Sequence, residues 1–210
     1  MSKHTFYDVH GNRISSSKFI NMYNEIYYYQ NNCFLEREIE RIYSKGCEAS
    51  LDEMITFIKW KTGGELNNSK DSIITQYGSH ISIDGIKELE QSIDSSWREK
   101  NVCELYNLIN DHNIENIGPV YILALCSLIK SGTEPIYDKF TDIALDAIGD
   151  DTKVIWASIS YKEMPDKKSE RSVMKRYDSF KDKLKVHFGN EWQKDRNIDR
   201  ALWVYGHMFR

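Results

Sequence analysis

Proline is almost missing from this chain: three occur in 210 residues, at positions 119, 135 and 165. A proline inside a helix removes a backbone donor and collides with the preceding turn. Long proline-free stretches therefore leave helix open wherever the apolar pattern fits. Between 15 and 32 it fits well, with Phe19, Ile20, Met22, Tyr23, Ile26 and Tyr27 at intervals of three and four after a capping serine run. Residues 34–46 alternate acid and base along one face and stop at Gly46. In 50–64, Ser50 and Glu53 have the spacing of a capping box, and Gly63 and Gly64 end the helix. Residues 65–72 read as a polar connector, a helix begins near Asp84, and 100–111 carries Leu105, Leu108 and Ile109 on an apolar face. Further on, Val173, Tyr177, Phe180, Leu184 and Phe188 form one stripe over 169–189. A last helix over 196–210 is expected to bury Leu202, Trp203 and Met208. Only 151–170 stays open between a short strand, from the alternation of Val154, Trp156 and Ser158, and an irregular loop. About nine or ten helices result, and the class is all-α: one helical domain over 1–210, of two subdomains, with two helical layers and a cleft between them.

Apolar residues make up 40% of the chain and charged ones 29%, as in ordinary globular proteins. A net charge of −4 argues against a general polyanion binder and leaves room for a local basic face. Cys33, Cys47, Cys103 and Cys126 lie far apart, without the close spacing of zinc knuckles or thiolate-held clusters. Cys103 and Cys126, in apolar helical contexts, read as buried free thiols. No His/Glu spacing suggests a metal, and no cofactor is implied. The N-terminal residues lack a signal-like apolar core, and no run has the length of a membrane span. A soluble, cytoplasmic protein without a membrane partner is the expectation.

The most informative stretch is 112–145. A six-residue link follows the helix ending at Asp111 and reaches Gly118, with Pro119 opening the next helix. Proline suits a first helical position, where its missing N–H has no intrahelical partner and its φ is already helical. Asn116 and Gly118 are residue types that tolerate the positive φ of a sharp reversal. Such a turn leaves backbone N–H groups facing outward at a helix N-terminus, where an anion such as phosphate is favoured. The following helix is almost wholly apolar and ends at Gly132. A stiff Thr-Glu-Pro loop then leads to Asp138, at or just before the start of another helix.

Helix, hairpin, buried helix, Gly/Pro loop and aspartate, in that order over 101–148, resemble the helix-hairpin-helix DNA glycosylase superfamily, in its endonuclease-III-like branch. The hairpin core is Asn116-Ile117-Gly118, the loop runs from Gly132 to Pro135, and the acid is Asp138, 20 residues after Gly118. The closing Ala201–Phe209 segment is similar to the family's final helix, with the order altered to Tyr205-Gly206-His207. The resemblance implies that the amides around Asn116, Ile117, Gly118 and Val120 hold a DNA phosphate. It also implies that Asp138 is catalytic, stabilising positive charge on the sugar of an extruded nucleotide or orienting water. Two departures bear on the chemistry. Asn116 replaces the first hairpin glycine, and Val120 occupies the place of the nucleophilic lysine of bifunctional members. The cluster cysteines of some members are absent too. The implied activity is monofunctional base excision on DNA, without a lyase lysine. The alternative is a non-catalytic module that binds nucleic acid or protein on the same scaffold.

Residues 161–189 hold nine basic side chains against five acidic ones, which makes this segment +4 and the rest of the chain −8. Lys168, Arg171 and Lys175 from this segment, with Lys139 beside Asp138, are candidate DNA-facing side chains; a solvated amphipathic helix explains the same pattern. Trp60, between Lys59 and Lys61, suits a base-stacking platform but fits helical core spacing after Phe57 better. The tyrosines at 27–29 read as packing or interface residues, and His112 and His207 as surface or satisfied histidines.

Overall fold

The structure, a computed structural model, describes residues 5–67, 69–148, 163–189, 192 and 196–208. Most of these are helical, in nine α-helices among the described residues: α1 Ser16–Gln30, α2 Cys33–Lys45, α3 Leu51–Thr62, α4 Ile83–Ser92, α5 Val102–Asp111, α6 Pro119–Ile129, α7 Lys139–Ile148, α8 Glu170–Phe188 and α9 Arg196–His207. Two short antiparallel sheets accompany them, β1 Phe6–Tyr7 with β2 Arg13–Ile14, and β3 Glu65–Asn67, β4 Ser72–Ile74 and β5 His80–Ser82 in a meander.

The helix boundaries follow local chemistry. Ser15 caps α1 by accepting the Lys18 N–H. In α3, Glu53 returns a carboxylate oxygen to the Ser50 N–H at 3.0 Å, and Gly63 closes the helix in the left-handed region at φ 58°. Asn101 and Glu104 form a second capping box on α5.

The chain divides into two compact units. The first comprises Met1–Cys33, Pro135–Glu163 and Lys175–Arg210; the second comprises Phe34–Glu134 and Met164–Met174. In the first unit α9 packs against α1 and α7. Its centre is aromatic: Phe19 lies 5.1 Å from both Phe6 and Tyr205 between ring centroids, and Tyr23 lies 5.1 Å from Tyr205. Burial raises the pKa values of Tyr23 and Tyr205, so both hydroxyls stay neutral. In the second unit α6 is the central element, with every residue from Ile122 to Ile129 buried, and α3 and α5 pack on it.

The connector expected at 65–72 is instead the start of the β3–β4–β5 meander. Glu65 and Leu66 of β3 are exposed, while Ile73 and Ile81, paired across β4 and β5, are fully buried. The alternation was hidden because the first strand carries Glu65, Leu66 and Asn67, all at least partly exposed. Leu202 is buried as expected, whereas Trp203 and Met208 are only half-buried. Cys126 is buried and Cys103 half-buried, its Sγ 2.8 Å from the Glu170 carboxylate in the second unit. The open reading at Val154, Trp156 and Ser158 lies outside the described residues. No described helix is long and apolar enough to cross a membrane.

Candidate nucleic-acid interface

The α5–α6 turn belongs to the second unit. Its reversal is made by Asn113 at φ 50° and Asn116 at φ 58°. Gly118 is not the positive-φ residue expected; at φ −93° and ψ 170° it is the N-cap of α6, with Pro119 at the first helical position. A side chain at Gly118 would meet nothing within 4 Å, so neither backbone nor packing demands glycine there. What the glycine leaves is an open approach to the helix end. Ile117 is buried and plugs the turn into the core, its N–H directed at the Ile114 carbonyl at 3.4 Å. The Gly118 carbonyl accepts from Tyr121 and Ile122 at 3.0 and 3.1 Å. The Gly118 and Val120 N–H groups find no acceptor among the described residues, as the first turn of a helix requires unless something outside the chain supplies one. Asn116 ties the turn to the meander, donating from Nδ2 to the His80 carbonyl at 2.7 Å.

Asp138 belongs to the first unit and caps α7. One carboxylate oxygen accepts the Phe140 N–H at 2.8 Å, and its carbonyl accepts the Asp142 N–H at 3.0 Å. The residue is half-buried, and the cap fixes the carboxylate's orientation at a helix N-terminus. The segment leading to it is held from α8, where the Tyr177 hydroxyl donates to the Pro135 carbonyl at 2.9 Å.

Next to this cap lies a charge cluster that sequence reasoning missed. Asp142, 1% exposed, accepts from Arg176 Nη2 at 2.6 Å, Lys183 Nζ at 2.7 Å and the Tyr137 hydroxyl at 3.1 Å. Asp146 adds a second carboxylate to Lys183 at 2.7 Å. Burial alone would lower the Lys183 pKa, but the bonds to Asp142 and Asp146 outweigh it and raise the value. The available signal was spacing: acids at 142 and 146 share one helix face, as do bases at 176 and 183, two turns apart. Pairing the two faces requires the fold. Two of the nine basic side chains between 161 and 189 are therefore used internally.

The candidate DNA-facing residues are all exposed, with Lys139 and Lys175 in the first unit and Lys168 and Arg171 in the second. Lys139 Nζ lies 5.9 Å from the Phe140 ring centroid. Trp60 is half-buried, 5.6 Å from Phe57 and donating Nε1 to Glu36 at 2.7 Å, which is a packing role. His207 stacks on Phe140 at 3.5 Å, with Nδ1 2.7 Å from the Trp203 carbonyl, and His112 Nε2 lies 2.9 Å from Ser92 Oγ. Both histidines are satisfied. Among the described residues no three His, Cys, Asp or Glu side chains are grouped to hold a metal.

Comparison of the chain with protein families, with curated proteins and with solved structures finds no match.

Proposed function

We propose that this protein binds DNA through the α5–α6 turn and acts as a monofunctional, glycosylase-like base-excision protein on a helix-hairpin-helix scaffold, with Asp138 as the catalytic carboxylate. The observation that carries the reading is the open N-terminus of α6. Two amides, of Gly118 and Val120, lack an acceptor among the described residues, and Gly118 leaves the approach unobstructed. A phosphate oxygen supplies the acceptors that such a helix end lacks. Asp138 then serves as an oriented negative charge beside a developing oxocarbenium ion. Its cap bond to the Phe140 N–H makes the orientation independent of substrate. Val120 offers no amine, so base release without strand cleavage is the expected chemistry.

A second reading, DNA binding without catalysis, draws on that same cap. An aspartate at an N-cap stabilises a helix without any further role.

Asp138→Asn separates the two. Asparagine caps as well as aspartate, so the substitution preserves α7 and removes only the charge. Duplexes carrying oxidised, alkylated or deaminated bases are incubated with each protein and then treated with alkali to cut at abasic sites. Scission by the wild type, reduced about a hundredfold or more in Asp138→Asn, is the expected result. Equal scission by both proteins removes Asp138 from the chemistry, and DNA binding without scission across the panel favours the second reading.

A further inference from the structure

His207 is tightly held within the first unit. Its Nδ1 lies 2.7 Å from the Trp203 carbonyl, one turn earlier in α9. A carbonyl only accepts, so Nδ1 carries the proton, and the bond fixes the rotation of the ring. One face of the imidazole lies on Phe140 of α7, with centroids 3.5 Å apart and planes 28° from parallel. The Trp203 ring is 3.9 Å from the imidazole and 6.4 Å from Phe140, so the imidazole sits between the two. Trp203 is anchored in turn on α1, where the buried Tyr27 ring meets it edge-on at 5.6 Å.

The stack ends on a residue whose backbone matters. The Phe140 N–H is donated to the Asp138 carboxylate at 2.8 Å. Its carbonyl is approached by Gly206, where a Cβ would lie 1.8 Å from the oxygen. With its ring and its carbonyl both gripped by α9, Phe140 has little freedom to turn, and the direction of its N–H is set. Aromatic pairs of this kind also serve as plain packing. This one differs in that its last member carries an amide bound to the carboxylate assigned to the chemistry.

We propose that His207 is a positioning residue for Asp138. Stacked between Trp203 and Phe140, it holds the Phe140 amide, and through that amide the carboxylate, in the direction needed beside the sugar of the target nucleotide. The inference rests on the base-excision reading above, and His207 touches no substrate in this role. A fixed charge stabilises a developing positive charge without reorganising, and a small misplacement costs as much as about a hundredfold in rate. The phosphate grip is assigned to the α5–α6 turn of the second unit. Bond breaking and DNA binding should therefore respond differently to a change at 207.

The test measures single-turnover base release and duplex affinity separately for the full chain. The probe is whichever duplex, carrying an oxidised, alkylated or deaminated base, the wild type cuts fastest. Variants are His207→Ala, His207→Phe and Asp138→Asn, each with its urea midpoint measured. His207→Ala removes the ring, whereas His207→Phe keeps a flat ring and loses only the Nδ1 bond. His207→Ala is expected to release base about ten- to a hundredfold more slowly at unchanged duplex affinity. His207→Phe is expected to recover most of the rate. A wild-type rate in His207→Ala overturns the positioning role. So does a fall of rate and affinity together, which marks lost packing alone, or a rate in His207→Phe as slow as that of His207→Ala. In each of these cases slow release by Asp138→Asn leaves the base-excision reading standing. No release by the wild type from any duplex, or equal release by Asp138→Asn, overturns that reading and the role of His207 with it.

Discussion

Gly206 shows how much one missing methyl group decides. A Cβ there would lie 1.8 Å from the Phe140 carbonyl oxygen and 2.5 Å from its carbon, closer than atoms can approach. Glycine is a poor helix residue, about 1 kcal/mol worse than alanine in a helix interior. Here it lets α9 cross directly over the first turn of α7, two residues from the Asp138 cap. Gly206→Ala should therefore destabilise by about 1–3 kcal/mol despite its better propensity, read as a lower urea midpoint at unchanged slope. Asp142 makes a second argument of the same kind. Asp142→Asn keeps the shape but leaves Arg176 and Lys183 facing a neutral amide. Their side chains are 21% and 26% exposed, so the loss should sit near the low end for broken buried pairs, about 3 kcal/mol. An unchanged urea midpoint would mean that solvent already screens the cluster.

At the scale of elements, one carboxylate of α3 gathers two basic side chains of α2. Glu53 closes the capping box on Ser50 and also meets Arg41 and Lys45 of α2, each at 2.6 Å. Burial pushes its pKa up, but hydrogen bonds from Lys45, the Ser50 N–H and Arg41 prevail and hold it at about 2, against 4.5 for a free glutamate. A carboxylate with a depressed folded-state pKa contributes stability above its unfolded value and loses it as pH falls towards the folded one. The stability from Glu53 should be complete above about pH 4.5 and vanish towards pH 2, and Glu53→Gln should flatten denaturation midpoints in that window. A wild-type profile identical to that of Glu53→Gln would rule the linkage out. The box itself was legible in sequence, because Ser50 and Glu53 interact within one turn. The ion pairs were not, since Arg41 and Glu53 meet only when two helices pack. The meander was missed for a related reason: Ile73 and Ile81 show their common face only once β4 and β5 are paired.

Across the whole molecule, the proposed DNA binding would have local basic residues working against the repulsive background of a net charge of −4. Affinity should fall steeply with salt. Replacing Lys168, Arg171 or Lys175 singly with Gln should reduce the slope of log affinity against log salt by about 1 for each phosphate that the residue neutralises. An unchanged slope would assign that residue to the solvated surface. Local order was largely determined by the sequence alone: proline scarcity, apolar spacing and caps place most helices, because those signals act between residues three or four apart. The open turn at 113–118 and the acid cap at 138 were visible for the same reason, although Asn116 rather than Gly118 adopts the left-handed backbone. Tertiary structure decided what meets across long separations in the chain. It set α1 beside α9 in the first unit, joined Asp142 to Arg176 and Lys183, and tied Asn116 to His80. Those pairings depend on which faces are buried together, and burial is a property of the assembled chain.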